Sequence, residues 1–226
     1  MQVQDGDKTL GIKIKTMTFL KTNILFLSLF FASVSCSSTD DTNEIDKEEQ
    51  QEEVVVLSTI APFFPINFET IGFGADWTWS VFENGSNPAL EIVENPFKSG
   101  INTSSNVAKF TALVEGAAWV GCETKHGEDI GTFKFDASNS TVKIMVYKTV
   151  ISDVGLKFAE ANGDAQLEVK VANTKINEWE ELTFDLSGSI GAGATGNIDQ
   201  LIIFPDFNSR NSNNIIYFDN IKFEEQ

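Results

Sequence analysis

Cysteine and histidine are scarce in this 226-residue sequence, which has two of the former and one of the latter. Cys36 belongs to an N-terminal signal described below, which leaves Cys122 alone in the folded part and excludes a disulfide there. Zinc sites use four ligands, and Cys122 and His126 do not supply them. A Cys–His dyad needs hydrogen-bond reach, whereas this stretch predicts a strand end and a loop. We expect His126 to be a loop residue, or secondly a donor to a ligand.

Positive charge is also scarce, because 16 Lys and Arg residues stand against 33 Asp and Glu residues, a net charge of −17. Phosphate backbones are bound by clustered cationic side chains, so the composition excludes nucleic acid as a partner. It disfavours anionic polysaccharides for the same reason. A strongly acidic surface suits neutral ligands or cations.

The longest hydrophobic run is too short to cross a membrane, which takes about 20 apolar residues. It covers 24–34, follows Lys21 and ends in small residues before Cys36. This is the pattern of a secretory signal, and the Cys directly after the small residues resembles a bacterial lipoprotein box. We interpret 1–36 as this signal, with Cys36 as the lipidated residue. Translation that begins at Met17 leaves 1–16 out. The alternative is a plain secretory cleavage site near a spare thiol.

Aromatic residues are absent from 37–58, which holds eight acidic residues and one Lys. Such a segment cannot bury enough apolar surface to fold, and its like charges extend it. We predict an acidic disordered tether here. The acidic residues soon after Cys36 resemble the export signal of surface lipoproteins in Bacteroidetes. This implies a lipid-anchored protein on the outer membrane, at the cell surface.

Helical periodicity is missing from 59–226, which is long enough for one domain with a sizeable core. Short β-rich runs recur about every ten residues between turn-forming residues, which is typical of an all-β sandwich or barrel. The predicted strands are 65–70, 77–83, 88–93, 106–113, 118–124, 131–135, 141–148, 154–160, 166–172, 180–186, 198–204 and 214–223.

Three tryptophans lie in strand-like segments rich in small and polar residues: Trp77, Trp79 and Trp119. Trp77 and Trp79 are two apart, so both point to one face of an extended strand. Indole faces stack on the apolar faces of sugar rings, which makes these residues candidate ligand platforms. Core packing is the alternative, because Trp is highly buried on average. Trp179 is interpreted as structural.

No catalytic constellation can be assembled from the sequence. Carboxylates are so abundant that no single pair is informative, and no flanking motif nominates a pair spaced for glycoside hydrolysis. We therefore predict a protein that is not an enzyme.

A family resemblance rests on several stretches. An early segment, a late one and the last strand resemble β-jelly-roll carbohydrate-binding modules of the galactose-binding-like fold: Phe68–Thr70, Asn177–Leu186 and Ile216–Ile221. Four further stretches are similar to a domain attached to secreted glycan-degrading proteins of marine Bacteroidetes: Phe73–Glu83, Asn95–Phe110, His126–Phe135 and Lys143–Gly155. The resemblance implies an antiparallel β-sandwich over 59–226 that binds carbohydrate.

The resemblance also implies a structural calcium ion. In such modules a Glu of the first strand and an Asp of the last often hold calcium together with backbone carbonyls. Glu69 and Asp219 match these positions, and the loop 95–102 could supply carbonyl oxygens. Two ordinary strand-end acids are the alternative.

These observations predict a non-catalytic surface lipoprotein that captures a neutral polysaccharide, such as the β-glucan laminarin, for neighbouring transporters and hydrolases. The alternatives are a small hydrolase or lyase on the same fold, and a structural or protein-interaction module. Jelly rolls bind on the concave face or at a loop rim. If the tryptophans are core residues, the loops with His126 and with Asp206 and Arg210 are the next candidates for ligand contacts.

Overall fold

The structure, a computed structural model, describes residues 65–69, 73–165, 168–191 and 195–225. The predicted signal, Cys36 and the acidic tether lie outside these residues, and those interpretations stay predictions. The described residues contain no helix that is long and apolar enough to cross a membrane.

Ten strands and one short 3-10 helix form the described fold. The strands are β1 (Trp79–Phe82), β2 (Glu91–Glu94), β3 (Asn106–Ala112), β4 (Gly121–Thr124), β5 (Thr141–Tyr147), β6 (Asp153–Glu160), β7 (Val169–Ala172), β8 (Trp179–Asp185), β9 (Ile198–Phe207) and β10 (Asn214–Glu224). The 3-10 helix covers Ser187–Ser189 and is the one helical segment in the described part of the chain.

The strands form two antiparallel five-stranded sheets, in the orders β1-β4-β9-β6-β7 and β2-β3-β10-β5-β8. We name them the β9 sheet and the β10 sheet after their central strands. This confirms the predicted all-β antiparallel sandwich.

The core lies between the sheets and follows the alternation of the sequence. In β5, Val142, Ile144 and Val146 face the core, as do Leu201 and Ile203 of β9. Side chains of a strand point alternately to its two faces, so one apolar set per strand is buried between the layers. Apolar area removed from water, at about 25 cal/mol per Å², is the main stabilising contribution.

Two predicted strands, 65–70 and 131–135, are reduced to single bridges. Ile66 pairs with Ile221, but Phe68 has a φ of 56° and turns the chain back toward Phe73. A residue with a positive φ departs from the extended conformation of a regular strand. Phe133 pairs with Ile198 alone in the second segment. Phe133 and Phe135 are buried and alternate with the exposed Thr132 and Lys134, but the pairing is shorter than predicted.

The loops gather at two ends of the sandwich because successive strands run antiparallel. The loops 83–90, 113–120, 148–152, 173–178 and 208–213 share one end, which we call the rim end. The loop 125–140 and the described parts of the β6–β7 and β8–β9 connections lie at the opposite end, which we call the far end.

Candidate functional site

Strand β9 has a bulge at the rim end that turns an acidic side chain inward. Three steps along β9, from Phe204 to Phe207, match two steps along β6. Pro205 lies in this irregularity, where a residue without an N–H group is tolerated. A bulge re-aims the side chains beside it, and here Asp206 is buried at the end of a central strand.

Lys148 brings a buried cation to this carboxylate. Its Nζ lies 3.6 Å from Asp206 Oδ1 and donates hydrogen bonds to Ser152 Oγ (2.6 Å), Ser152 O (3.2 Å) and Pro205 O (3.0 Å). Ser152 Oγ in turn donates to Asp206 Oδ1. Burial lowers the pKa of Lys148 to about 8, although the neighbouring Asp206 acts in the opposite direction. The network ties the β5–β6 loop to the end of β9.

Arg210 ties a third segment to the same carboxylate. Its Nε donates to Asp206 Oδ2 (3.2 Å) and its Nη2 donates to Asp206 O (2.9 Å). Nη1 donates to the carbonyls of Leu113 (3.0 Å), Gly116 (3.3 Å) and Ala117 (3.0 Å). The Arg210 side chain is 2% exposed. Its charge thus holds the β3–β4 loop against the β9–β10 loop.

A cleft of about 270 Å³, the rim cleft, lies above this network. Asp206 and Arg210, predicted as ligand contacts, line its floor with their hydrogen-bonding groups engaged by the protein. The walls carry Val150 and Ile151 on one side and neutral polar residues on the other: Asn208, Ser209, Asn211, Ser212 and Asn214. Asn214 Nδ2 donates to Asp206 Oδ2 (2.9 Å).

Exposed apolar side chains also occur at the rim end. Trp119, which is 51% exposed, lies in the β3–β4 loop that Arg210 anchors, and Val114 of the same loop is also exposed. Ile151 is exposed on the cleft wall. Recognition sites typically combine such apolar surface with a few placed polar groups. Of the three predicted tryptophans, Trp119 therefore shares an end of the molecule with Asp206 and Arg210.

Trp77 and Trp79 lie elsewhere, at the beginning of β1. As predicted, the two indoles share a side, with ring centroids 6.2 Å apart. Both pack against the main core, where Trp79 meets Phe68 (6.0 Å) and Phe218 (6.3 Å). Trp79 Nε1 donates to Gly74 O (3.4 Å). These contacts give Trp79 a core-packing role, while Trp77 remains half-buried at the edge.

The outer face of the β9 sheet carries a second aromatic group. Phe204 meets Phe82 edge-on at 5.7 Å and Phe207 at 5.3 Å, and Lys170 Nζ lies 3.5 Å from the Phe207 ring centroid. Phe204 is 6% exposed. Rings that cover one another in this way present little free face for stacking, which favours the rim cleft over this sheet face.

His126 lies in the loop after β4, at the far end. Its Nδ1 is 2.7 Å from Asp199 Oδ1, the first acidic residue of β9. Cys122 is buried, and burial raises the pKa of its thiol, so it is no nucleophile for His126. The described residues contain no group of three or more Cys, His, Asp or Glu side chains arranged for a metal ion.

The proposed calcium ligands Glu69 and Asp219 lie close enough to interact electrostatically. Burial is the main cause that raises the pKa of Asp219 to about 6, and the charge of Glu69 contributes to this rise. Asn102 Nδ2 (2.9 Å) and Asn220 Nδ2 (3.0 Å) donate to Asp219 Oδ2. The backbone N–H groups of Ser105 and of Asn106 (2.8 Å) donate to Glu69 Oε1.

These groups fit a calcium ion in part. Two carboxylates meet two carboxamides, whose oxygen and nitrogen atoms exchange places on rotation of the side chain. Calcium prefers six to eight oxygen ligands, so the Asn102 and Asn220 carboxamides would have to turn their oxygens toward the ion.

Sequence reasoning missed Lys148 and the Asn and Ser residues of the segment 208–214, of which it named Arg210 alone. The loop has a signal in the sequence, since four of its seven residues are Asn and two are Ser. Such residues typically form turns, and their side chains also bind hydroxyl groups. Lys148 has no comparable signal, because a lysine at a strand end is usually exposed.

No family model matches the sequence, and no curated protein matches it. Solved structures with a similar fold include a family 61 carbohydrate-binding module in complex with β-1,4-galactotriose, at a TM-score of 0.39 and 13% identity over 67% of this chain and 90% of that one.

Two further matches cover similar shares of this chain. A family 6 module from Clostridium stercorarium in complex with cellobiose has a TM-score of 0.38 and 13% identity over 67% of this chain and 90% of that one. An exo-β-agarase has a TM-score of 0.48 and 10% identity over 74% of this chain but 25% of the agarase. Likeness of this degree concerns the fold alone.

Proposed function

We propose that this chain is a non-catalytic glycan-binding protein whose rim cleft binds a neutral polysaccharide. The observation that carries the proposal is the composition of the rim end. Exposed Trp119 and Ile151 offer apolar surface, and the loop 208–214 lines the cleft with carboxamides and hydroxyls. Sugar rings have this same combination of apolar faces and hydroxyl edges.

The electrostatics of the rim cleft favour a ligand without charge. The Asp206 carboxylate is compensated by Lys148 and Arg210, and all three side chains are buried beneath the cleft. Lys148 and Arg210 direct their hydrogen bonds to protein oxygen atoms, so these donors are not offered to a uronate or a sulfate, and the acidic protein as a whole repels anions. A neutral saccharide is not repelled by the negative charge of the protein.

The finer parts of the proposal rest on the sequence. A lipid anchor at Cys36 and the acidic tether 37–58 would hold the domain at the outer cell surface. There it would capture a β-glucan such as laminarin for neighbouring transporters and hydrolases. The resemblance to carbohydrate-binding modules supports this role.

The test is a glycan screen with residues 59–226, followed by calorimetry on Trp119→Ala. Stacking on an aromatic ring contributes about 1 to 3 kcal/mol, by analogy with nucleic-acid bases. We therefore expect the variant to bind about 5- to 150-fold more weakly. Its melting temperature should stay close to that of the parent, because half of the indole is already exposed.

Trp79→Ala is the matched control. Its indole packs in the core, so its loss should cost about 3 to 5 kcal/mol of stability. Equal glycan affinity for the parent and Trp119→Ala would contradict the proposed site. Release of new reducing ends from the bound glycan would show an enzyme instead, and the absence of any glycan ligand would favour an interaction module.

A further inference from the structure

Strand β9 has a second bulge, at its far end. Ala159 of β6 pairs with Gln200, but the next residue, Glu160, pairs with Ile198, which leaves Asp199 as an extra residue. As at Asp206, the bulge turns a carboxylate away from the regular alternation. One strand thus carries a buried Asp at each end.

The two carboxylates have similar surroundings. Asp199, with 7% of its side chain exposed, pairs with His126 as Asp206 pairs with Arg210. The two carboxylates differ in the hydrogen bonds that their Oδ2 atoms accept. Asp206 Oδ2 accepts hydrogen bonds from Arg210 and Asn214, whereas Asp199 Oδ2 accepts none from the part of the chain that the structure describes. Asp199 Oδ2 therefore has free capacity to accept a hydrogen bond from a ligand.

A second cleft of about 300 Å³, the far cleft, lies at this carboxylate. Its walls include Thr132 and Asn162, both exposed, and Asn197. Glu160 also lines the cleft, and its Oε1 is fixed by the backbone N–H groups of Gly196 and Asn197, both at 3.0 Å. The cleft therefore presents the carboxylates of Asp199 and Glu160 as hydrogen-bond acceptors, beside exposed hydroxyl and carboxamide groups.

We propose that the far cleft is a second saccharide site, in which Asp199 Oδ2 accepts a hydrogen bond from a sugar hydroxyl. This inference rests on the proposed function of the rim cleft. Asp199 and Asp206 are seven residues apart on one strand, which is about 23 Å at 3.3 Å per residue. A single domain would then hold two glycan segments at opposite ends and could link two chains, with the avidity that two sites confer.

The experiment is calorimetry on the full-length chain, in a detergent without a sugar headgroup. The probes are trisaccharides of β-1,3-linked glucose, β-1,4-linked glucose and β-1,4-linked galactose. We expect a stoichiometry of two for the trisaccharide that binds. Thr132→Leu fills part of the far cleft from an exposed position and removes its hydroxyl group, and Asp199→Asn weakens the acceptor. Each should reduce the stoichiometry to one, with at least tenfold weaker binding at the lost site.

Trp119→Ala is the control, since it should weaken the other site and leave the far cleft intact. Thr132→Leu changes no buried group, so it tests the far cleft even if Asp199→Asn fails to fold, and an unchanged melting temperature confirms that it is folded. A stoichiometry of one that neither far-cleft variant alters would overturn the second site and leave the rim cleft standing. Binding of no trisaccharide at all would count against the proposed function as well.

Discussion

Lys148 holds an ammonium group that is sealed from water. Four oxygen atoms surround it, yet only Asp206 is charged. Desolvation disfavours the charged form, and its pKa falls to about 8, below the ordinary value of 10.5. The folded protein therefore binds fewer protons than the unfolded chain between these two pH values.

This difference predicts how stability changes with pH. Since the unfolded state binds more protons between pH 8 and 10.5, the Lys148 contribution to the free energy of unfolding rises across this window. Below pH 8 the unfavourable free energy of burying the charged Lys148 ammonium is fully present. Relative to Lys148→Met, the parent should gain up to about 3 kcal/mol from pH 8 to 10.5.

Chemical denaturation of both proteins at several pH values measures this gain. The difference between them removes the effect of other titrating groups. A constant difference from pH 7 to 10.5 would show that Lys148 titrates near its ordinary pKa and is hydrated.

Among the elements, the β3–β4 loop depends most on one side chain. Three of its carbonyls accept hydrogen bonds from Arg210 Nη1. Asn84, fully buried, holds the same region through Leu113 N (2.8 Å) and Thr111 O (2.7 Å). Arg210 therefore sets the position of Trp119 relative to the rim cleft, although the cleft ligand need not touch it.

Arg210→Met should loosen this loop. Breaking a buried pair costs about 3 to 5 kcal/mol because the partner carboxylate is left with less compensation. We expect a lower melting temperature and faster hydrogen exchange at Gly116, Ala117 and Val120. Glycan affinity should fall as well, since the Trp119 platform loses its support.

Lys125→Met is the matched control for Arg210→Met. Lys125 forms an exposed ion pair with Glu128, and such solvent-screened pairs contribute little to stability. Hydrogen-exchange rates at 116–120 that are the same in Arg210→Met and the parent would show that Arg210 does not hold the β3–β4 loop in place.

The strands also show how much of the fold could be predicted from the sequence. Alternation of β-rich runs predicted the positions of the ten described strands, because burial between two sheets requires that pattern. It failed at Phe68, where burial of one ring is combined with a left-handed turn. It ended β9 at residue 204, before Pro205, whereas the bulge carries the strand on to Phe207. Bulges have no clear sequence signal, so the positions of Asp199 and Asp206 could not be predicted.

The candidate site was predicted in part for the same reason. Trp119, Asp206 and Arg210 were singled out by residue type, and the fold brings them to one end. Trp77, Trp79 and His126 were singled out in the same way but lie elsewhere. Only the order of the strands in the sheets decides which loops meet, and local patterns do not contain that order.

At the scale of the whole molecule, acidity is the dominant property. The excess of Asp and Glu gives a net charge of −17, and the charge of Glu69 acts on the buried carboxylate of Asp219. A bound cation would relieve this local repulsion. We therefore propose that calcium stabilises the fold through these residues.

Removal of calcium tests this proposal. A ligand that binds only the folded state adds stability by mass action, about 2.7 kcal/mol at 100 times its dissociation constant. A chelator should lower the melting temperature of the parent and leave Asp219→Asn unchanged. Asp185→Asn, at an exposed acid, should respond as the parent does. If the melting curve of the parent protein is the same in calcium and in chelator, calcium does not stabilise the fold.

The most direct measurement of the central claim is a titration of the ¹⁵N-labelled domain with its glycan, followed by NMR. The four indole N–H signals act as separate reporters. We predict that the Trp119 signal and the amides of 208–214 shift in proportion to binding. The chemical shifts of the Trp79 and Trp179 indole N–H groups should not change, since these groups donate to Gly74 O and Phe97 O. Shifts that spare Trp119 and 208–214 but affect Phe82, Phe204 and Phe207 would place the ligand on the sheet face and contradict the rim cleft.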